Sequence, residues 1–172
     1  MPRKISIYVL LLVVLGVFLN HFSVSRKENG WLLVVDGREV DALGMAHEKW
    51  GKLTRSCERV TQLATTSQQH SDIQKLIQTY SPPHSESANI VRLLTMRNWF
   101  LVAVEFKELL PAVVLIDQSN GPARIIPNAI WSGETHPWLA GPVIRRYLAS
   151  KAPQAPIELL ECFDPPLKCV HH

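Results

Sequence analysis

Ile5 to Leu19 is an almost purely apolar run, broken only by Ser6 and Gly16, and it follows the short basic leader Pro2-Arg3-Lys4. A stretch like this has no polar face to turn toward water, so it is a poor surface or core helix of a soluble domain. It directs a chain to a membrane, and that sets compartment and topology before any fold argument begins. A helix crosses a bilayer core with about 20 mostly apolar residues. Ile5 to Phe22 supplies 18, with Asn20 and His21 polar enough to lie at the far interface. A retained anchor over residues 5–22 is therefore expected. The other reading is a cleaved secretory signal, with Ser23-Val24-Ser25 as the small residues that cleavage needs. Against it, Arg26-Lys27 follow directly.

Residues 1–25 are accordingly read as a signal-anchor or signal peptide, and 26–172 as a single extracytoplasmic domain. Arg3 and Lys4 keep the leader in the cytoplasm, and Arg26 and Lys27 on the other flank weaken that bias without reversing it. A compact body on one anchor fits a single-pass inner-membrane protein with its body in the periplasm. Cleavage near Ser25 would instead release the body as a periplasmic or secreted protein.

Two of the 18 basic residues lie in the leader, which leaves 16 against 15 acidic residues in the body. A near-neutral body lacks the basic face that a nucleic-acid partner requires, so no nucleic acid is expected. Its roughly 147 residues suit one domain with one core. The three cysteines, Cys57, Cys162 and Cys169, allow one disulfide in an oxidising compartment. Cys162 with Cys169 would close a small loop, and Cys57 with Cys162 would tie the tail to a helix. A third possibility is that Cys57 is a buried small hydrophobe. No pair has metal or redox spacing, and no two histidines are spaced as a metal pair, so no metal or cofactor is expected.

Trp31 to Val35 reads as a strand closed by the turn residues Asp36-Gly37. Leu43, Ala46, Trp50, Leu53, Cys57, Val60 and Ala64 then follow a 3–4 spacing, which predicts an amphipathic helix from Val40 to about Ala64. Glu48, Lys49, Lys52, Arg55 and Glu58 are expected on its wet face. Met45, Trp50 and Leu53 widen the apolar stripe enough to meet a partner, although packing on a sheet is the plainer reading. A second helix, capped by Ser71 or Asp72, carries Ile73, Leu76, Ile77 and Tyr80 inward and ends before Pro82-Pro83. Strands are expected at Asn89–Thr95, Trp99–Phe106, Ala112–Asp117 and Arg124–Trp131. Asn120-Gly121 turns a hairpin, and Pro127 marks an edge strand or a bulge. Gly141-Pro142 starts a helix, and Ile157 to Phe163 is a further short one.

This order predicts an α+β fold: a membrane helix, two helices, an antiparallel sheet of about four to five strands, and a C-terminal helix. The helices are expected together on one face. A long helix cradled by a curved sheet, the layout of cystatin-like or NTF2-like folds, would satisfy the order.

The most distinctive loop is Trp131-Ser-Gly-Glu-Thr-His-Pro-Trp138. Two indoles would form a binding platform, with Glu134 and His136 as polar contacts, and Arg145-Arg146 would meet anionic lipid or an acidic partner. The plainer reading is that Trp131 and Trp138 fill the gap between sheet and helix, while Glu134 and His136 face water and Arg145 lies on a wet helix face. Glu105 and Asp117, near the ends of neighbouring strands, are a candidate acid pair. Ser132 lacks the glycine of a nucleophile elbow, since Ile130 stands in its place. The residues thus favour a non-catalytic envelope protein acting by protein–protein binding, either as an assembly component or as a toxin-neutralising inhibitor. The alternative is a small envelope enzyme or ligand-binding module built on the Trp131–Trp138 loop.

Overall fold

The computed structural model describes residues 16, 21–28 and 30–165. The span expected over 5–22 lies outside the described residues except for Gly16, His21 and Phe22, of which Phe22, read as its last residue, begins a strand; among the described residues no helix is long and apolar enough to cross a membrane. The chain divides into two compact units, residues 1–47 and 48–172.

The first unit holds a three-stranded antiparallel meander: β1 (Phe22–Lys27), β2 (Gly30–Val35) and β3 (Arg38–Val40). Ser23-Val24-Ser25, expected as a cleavage site, and the Arg26-Lys27 that follow are thus strand, since β1 pairs along its length with β2, from Phe22–Val35 to Lys27–Gly30. Asp36 and Gly37 both have positive φ, 49° and 78°. That is the backbone of a two-residue hairpin turn, for which Asp-Gly is a favoured pair. The turn feeds β3, so Val40 is strand rather than the start of a helix.

Helix α1 runs from Ala42 to Thr54, not from Val40 to Ala64. Asp41 caps it, Oδ1 accepting from the Gly44 N–H at 2.8 Å, as short acidic side chains do at helix starts. Gly44 makes room for the cap, because a Cβ there would fall 2.1 Å from Asp41 Oδ2. The helix stops at Thr54, and the chain is soon held by other constraints. Cys57 is bonded to Cys162, and Thr61–Gln62 joins a sheet as β4. Of the readings open for the cysteines, the structure has the Cys57–Cys162 pair, and Cys57 is exposed rather than a core residue. No residue of α1 is buried, so it is not a long helix cradled by a sheet.

The second unit is built on a five-stranded antiparallel sheet in sequential order: β4, β5 (Asn89–Met96), β6 (Trp99–Glu105), β7 (Ala112–Asp117) and β8 (Arg124–Ser132). Its helices are α2 (Gln68–Gln78), α3 (Ala140–Lys151) and α4 (Ile157–Glu161), with a 3-10 turn at His84–Ser87. Ser67, not Ser71 or Asp72, caps α2 by accepting from the His70 N–H at 3.2 Å.

The helices lie on both faces of the sheet, not one. On one face Leu101, Ala103, Val113 and Leu115 pack with Ile144 and Leu148 of α3 and Leu159 and Leu160 of α4. On the other, Phe100, Val102, Val104, Val114 and Ile116 pack with Ile73 and Ile77 of α2. This explains why β6 and β7 are apolar at nearly every position rather than at alternate ones: a strand covered on both sides needs apolar residues on both. Pro127 sits where it can do least harm. β8 is an edge strand, and its register with β7 shifts between Val114 and Ile116, leaving residues 126–129 out of the ladder.

The disulfide joins residues 105 apart in sequence. Closing a loop of that length is worth on the order of 4–5 kcal/mol in the chain-entropy account. Cys57→Ser is expected to lower unfolding free energy by about 2–5 kcal/mol, read as a lower urea midpoint than that of the oxidised parent. Under a thiol reductant the two proteins should coincide.

Candidate functional site

The five residues singled out in the sequence fall in two places. Trp131 is the next-to-last residue of β8, opposite Val113, and packs half-buried against the core shared with α3 and α4. The chain then turns through Gly133, whose φ of 132° favours glycine. Trp138 is half-buried, and its N–H donates to the Thr135 carbonyl at 2.7 Å. Glu134 and His136 are both exposed, and neither has a hydrogen bond or ion pair to another described residue. The loop thus sets two half-buried indoles beside two solvated polar side chains.

Arg145 belongs to a different constellation, which the sequence did not reveal. Glu48 of α1 receives two guanidinium groups. Arg55 Nη2 donates to Oε1 at 2.7 Å, and Arg145 Nη2 donates to Oε2. Arg145 also donates to the Phe163 carbonyl at 2.8 Å, and Arg55 to the Glu161 carbonyl. Nearby, Arg92 donates to the Asp164 carbonyl, Lys52 pairs with Asp164 at 3.2 Å, and Arg59 pairs with Glu158. The segment 158–164, already tied through Cys162, is therefore held by cations from α1 and the stretch just after it, from β5 and from α3.

Local sequence makes this possible. Arg55 follows Gly51 by four residues, and Arg145 follows Gly141 by four. A Cβ at Gly51 would stand 3.1 Å from the Arg55 guanidinium, and one at Gly141 would stand 3.2 Å from that of Arg145. Each glycine lets its arginine fold back along its own helix toward Glu48. This corrects the expectation that Glu48, Arg55 and Arg145 line wet helix faces: all three side chains are largely covered. Two Gly-x-x-x-Arg spacings were the available signal, but nothing in the sequence joins them to Glu48.

Burial is the largest influence on Glu48 and would raise its pKa. The hydrogen bonds and charges of Arg145 and Arg55 outweigh it, and the carboxyl sits below the usual glutamate value. The cluster binds the tail, and its donors are spent on carbonyls and a carboxylate. It is a structural clamp rather than a vacant site.

The candidate pair of Glu105 and Asp117 does not form. The register sets Asp117 opposite Trp99 at one end of β6, while Glu105 lies at the other end, opposite Asn89. Asp117 accepts from the Ser119 N–H at 2.8 Å and from Arg124 at 3.1 Å, which secures the turn after β7. No cluster of potential metal ligands occurs among the described residues.

The remaining feature is the outer face of α1. Gly44, Glu48, Gly51 and Arg55 share one side of the helix wheel and are partly covered. Leu43, Ala46, Trp50 and Leu53 share the opposite side and are exposed, the three large ones at 65%, 69% and 82%. The apolar stripe read from the sequence is real, but it points outward. Comparison with family models, curated proteins and solved structures finds no match.

Glu48→Gln tests the clamp. A carboxyl with a depressed pKa contributes stability above the unfolded-state pKa, near 4.5, and loses it as pH falls through the folded-state value. The parent should therefore lose more unfolding free energy than the Gln variant between pH 7 and pH about 3. At pH 7 the variant should be less stable by about 3 kcal/mol, because two covered guanidiniums lose their carboxylate. Urea unfolding at both pH values reads each effect.

Proposed function

We propose that this is a non-catalytic, membrane-anchored extracytoplasmic protein that works by binding another protein, and that α1 presents the contact surface. The observation that carries the reading is the inverted helix. Gly44, Glu48 and Gly51 of α1 are turned in, and Leu43, Ala46, Trp50 and Leu53 are turned out. Apolar side chains spaced three and four apart on one exposed face are how a helix docks in a partner's groove. Trp is the residue type most enriched among the energetically dominant positions of interfaces, and a contiguous exposed apolar stripe is an unusual feature of a surface with no partner.

Two further observations support the setting. The apolar run over 5–19 behind Arg3-Lys4 suits an inner-membrane anchor with the body in the periplasm. The Cys57–Cys162 disulfide suits an oxidising compartment. A partner in such a place would be an envelope-assembly component, or a toxin that this chain neutralises.

A photoreactive residue placed at position 50 of the full-length protein in its native membranes is expected to cross-link to one protein in near-equal amount. Leu53→Asp should weaken that complex by roughly 30-fold or more, the cost of about 2 kcal/mol at a dominant contact. Glu134→Ala should leave it unchanged. Absence of any protein cross-link, or full retention of the complex in Leu53→Asp, would refute the reading.

A further inference from the structure

The meander β1–β3 has two unlike faces. Directly opposed residues share a face, so Phe22, Val24, Arg26, Trp31, Leu33, Val35, Arg38 and Val40 lie together. The other face carries Ser23, Ser25, Leu32, Val34 and the ion pair of Lys27 with Glu39 at 2.6 Å. On the first face none of the apolar residues is buried, and Val24 and Trp31 are exposed at 63% and 52%. Buried Leu32 lies on the opposite side. The sheet therefore leaves its more apolar face the more open one.

Only two charged side chains lie on this face, and both are cationic. Arg26 stands over the Trp31 ring, 5.5 Å from its centroid, near one end. Arg38, opposite Val35, is exposed at the other end. Neither is bonded to a carboxylate of another described residue. An indole with arginines at the margins of an apolar surface is the side-chain set found at the boundary between hydrocarbon and lipid headgroups.

Chain geometry names the occupant. The apolar run ends at Leu19 and β1 begins at Phe22. Three residues reach at most about 10 Å, so a chain anchored through that run has its first strand at the bilayer surface. We propose that the Phe22–Val24–Trp31–Leu33 face lies on the membrane, its apolar side chains in the interfacial zone and Arg26 and Arg38 on anionic phosphate headgroups. This rests on the anchor reading given above, and deepens it: the meander is a foot that fixes the protein against the lipid. Basic residues within a Debye length of an anionic surface are attracted to it.

The test uses the full-length protein reconstituted in vesicles of phosphatidylethanolamine and phosphatidylglycerol, part of the lipid being brominated high on the acyl chain. Flotation after alkaline extraction reads the anchor, and tryptophan quenching reads the foot. Quenching of the parent is expected to fall by about twofold or more in Trp31→Phe, and also in Val24→Asp, a change at an exposed position. Arg26→Gln with Arg38→Gln should reduce it as well, and should do nothing in vesicles of phosphatidylcholine alone. A protein that floats but whose quenching is the same with and without Trp31 overturns the foot and leaves the anchor standing. A protein that does not float overturns both. Trp31 shielded from aqueous iodide yet unquenched by lipid means that a protein surface, such as a second copy, covers the meander, and this too overturns the proposal.

Discussion

Two central strands with no wet side govern the second unit. β6 and β7 bury every residue but Glu105, so their sheet is stable only while both faces stay covered. One cover, α2, arrives before the sheet is made. The other, α3 and α4, arrives after it. Neither β4, at two residues, nor the short α4 has much apolar area of its own, and burial yields only about 25 cal/mol per Å². The end of the chain therefore needs other ties. The disulfide, the Glu48 cluster and the arginines on the carbonyls of Glu161, Phe163 and Asp164 supply them. The polar interactions serve to hold a thin layer in place over a strongly apolar sheet.

The same need explains the unusual use of α1. Its Glu48 is committed to Arg145 and to Arg55 just past the helix end, the two arginines that hold the tail, so its covered side carries the charge and its apolar side is left exposed. A helix wheel gives the separation of two faces, and it does so correctly here. It does not say which face is the inner one. That choice was made by Arg145, about a hundred residues downstream, and by the disulfide, neither of which leaves a periodic trace near residue 50.

Much of the second unit was legible. The β5–β8 strands, the turn around Asn120-Gly121 and the demotion of Pro127 all rest on local chemistry, and local chemistry decided them; α3 begins at Ala140, so Pro142 is its third residue rather than its first. The two-sided cover of the sheet was not read, although the unbroken apolar runs of β6 and β7 imply it. The grouping of helices in sequence misled on that point. The meander was harder. Ser23 and Ser25 read as a cleavage site with Arg26 and Lys27 as its charged flank, because β1 gains its strand character from pairing with β2 rather than from its own residues. Of the candidate site, the loop residues lie near one another as their spacing requires, but Arg145 is drawn away from them by a carboxylate that no motif connects to it.

The Cys57–Cys162 bond also changes what a broken chain would be. With residues 57 and 162 joined, all of the five-stranded sheet and both of its helical covers lie on a covalent ring. A single cut by a protease anywhere on that ring, for instance in the exposed stretch around Lys107 and Leu110, opens the ring but frees no fragment. The strands and helices on either side of the cut remain one molecule. That topology keeps in one piece a protein whose linear counterpart would be parted by the same cut.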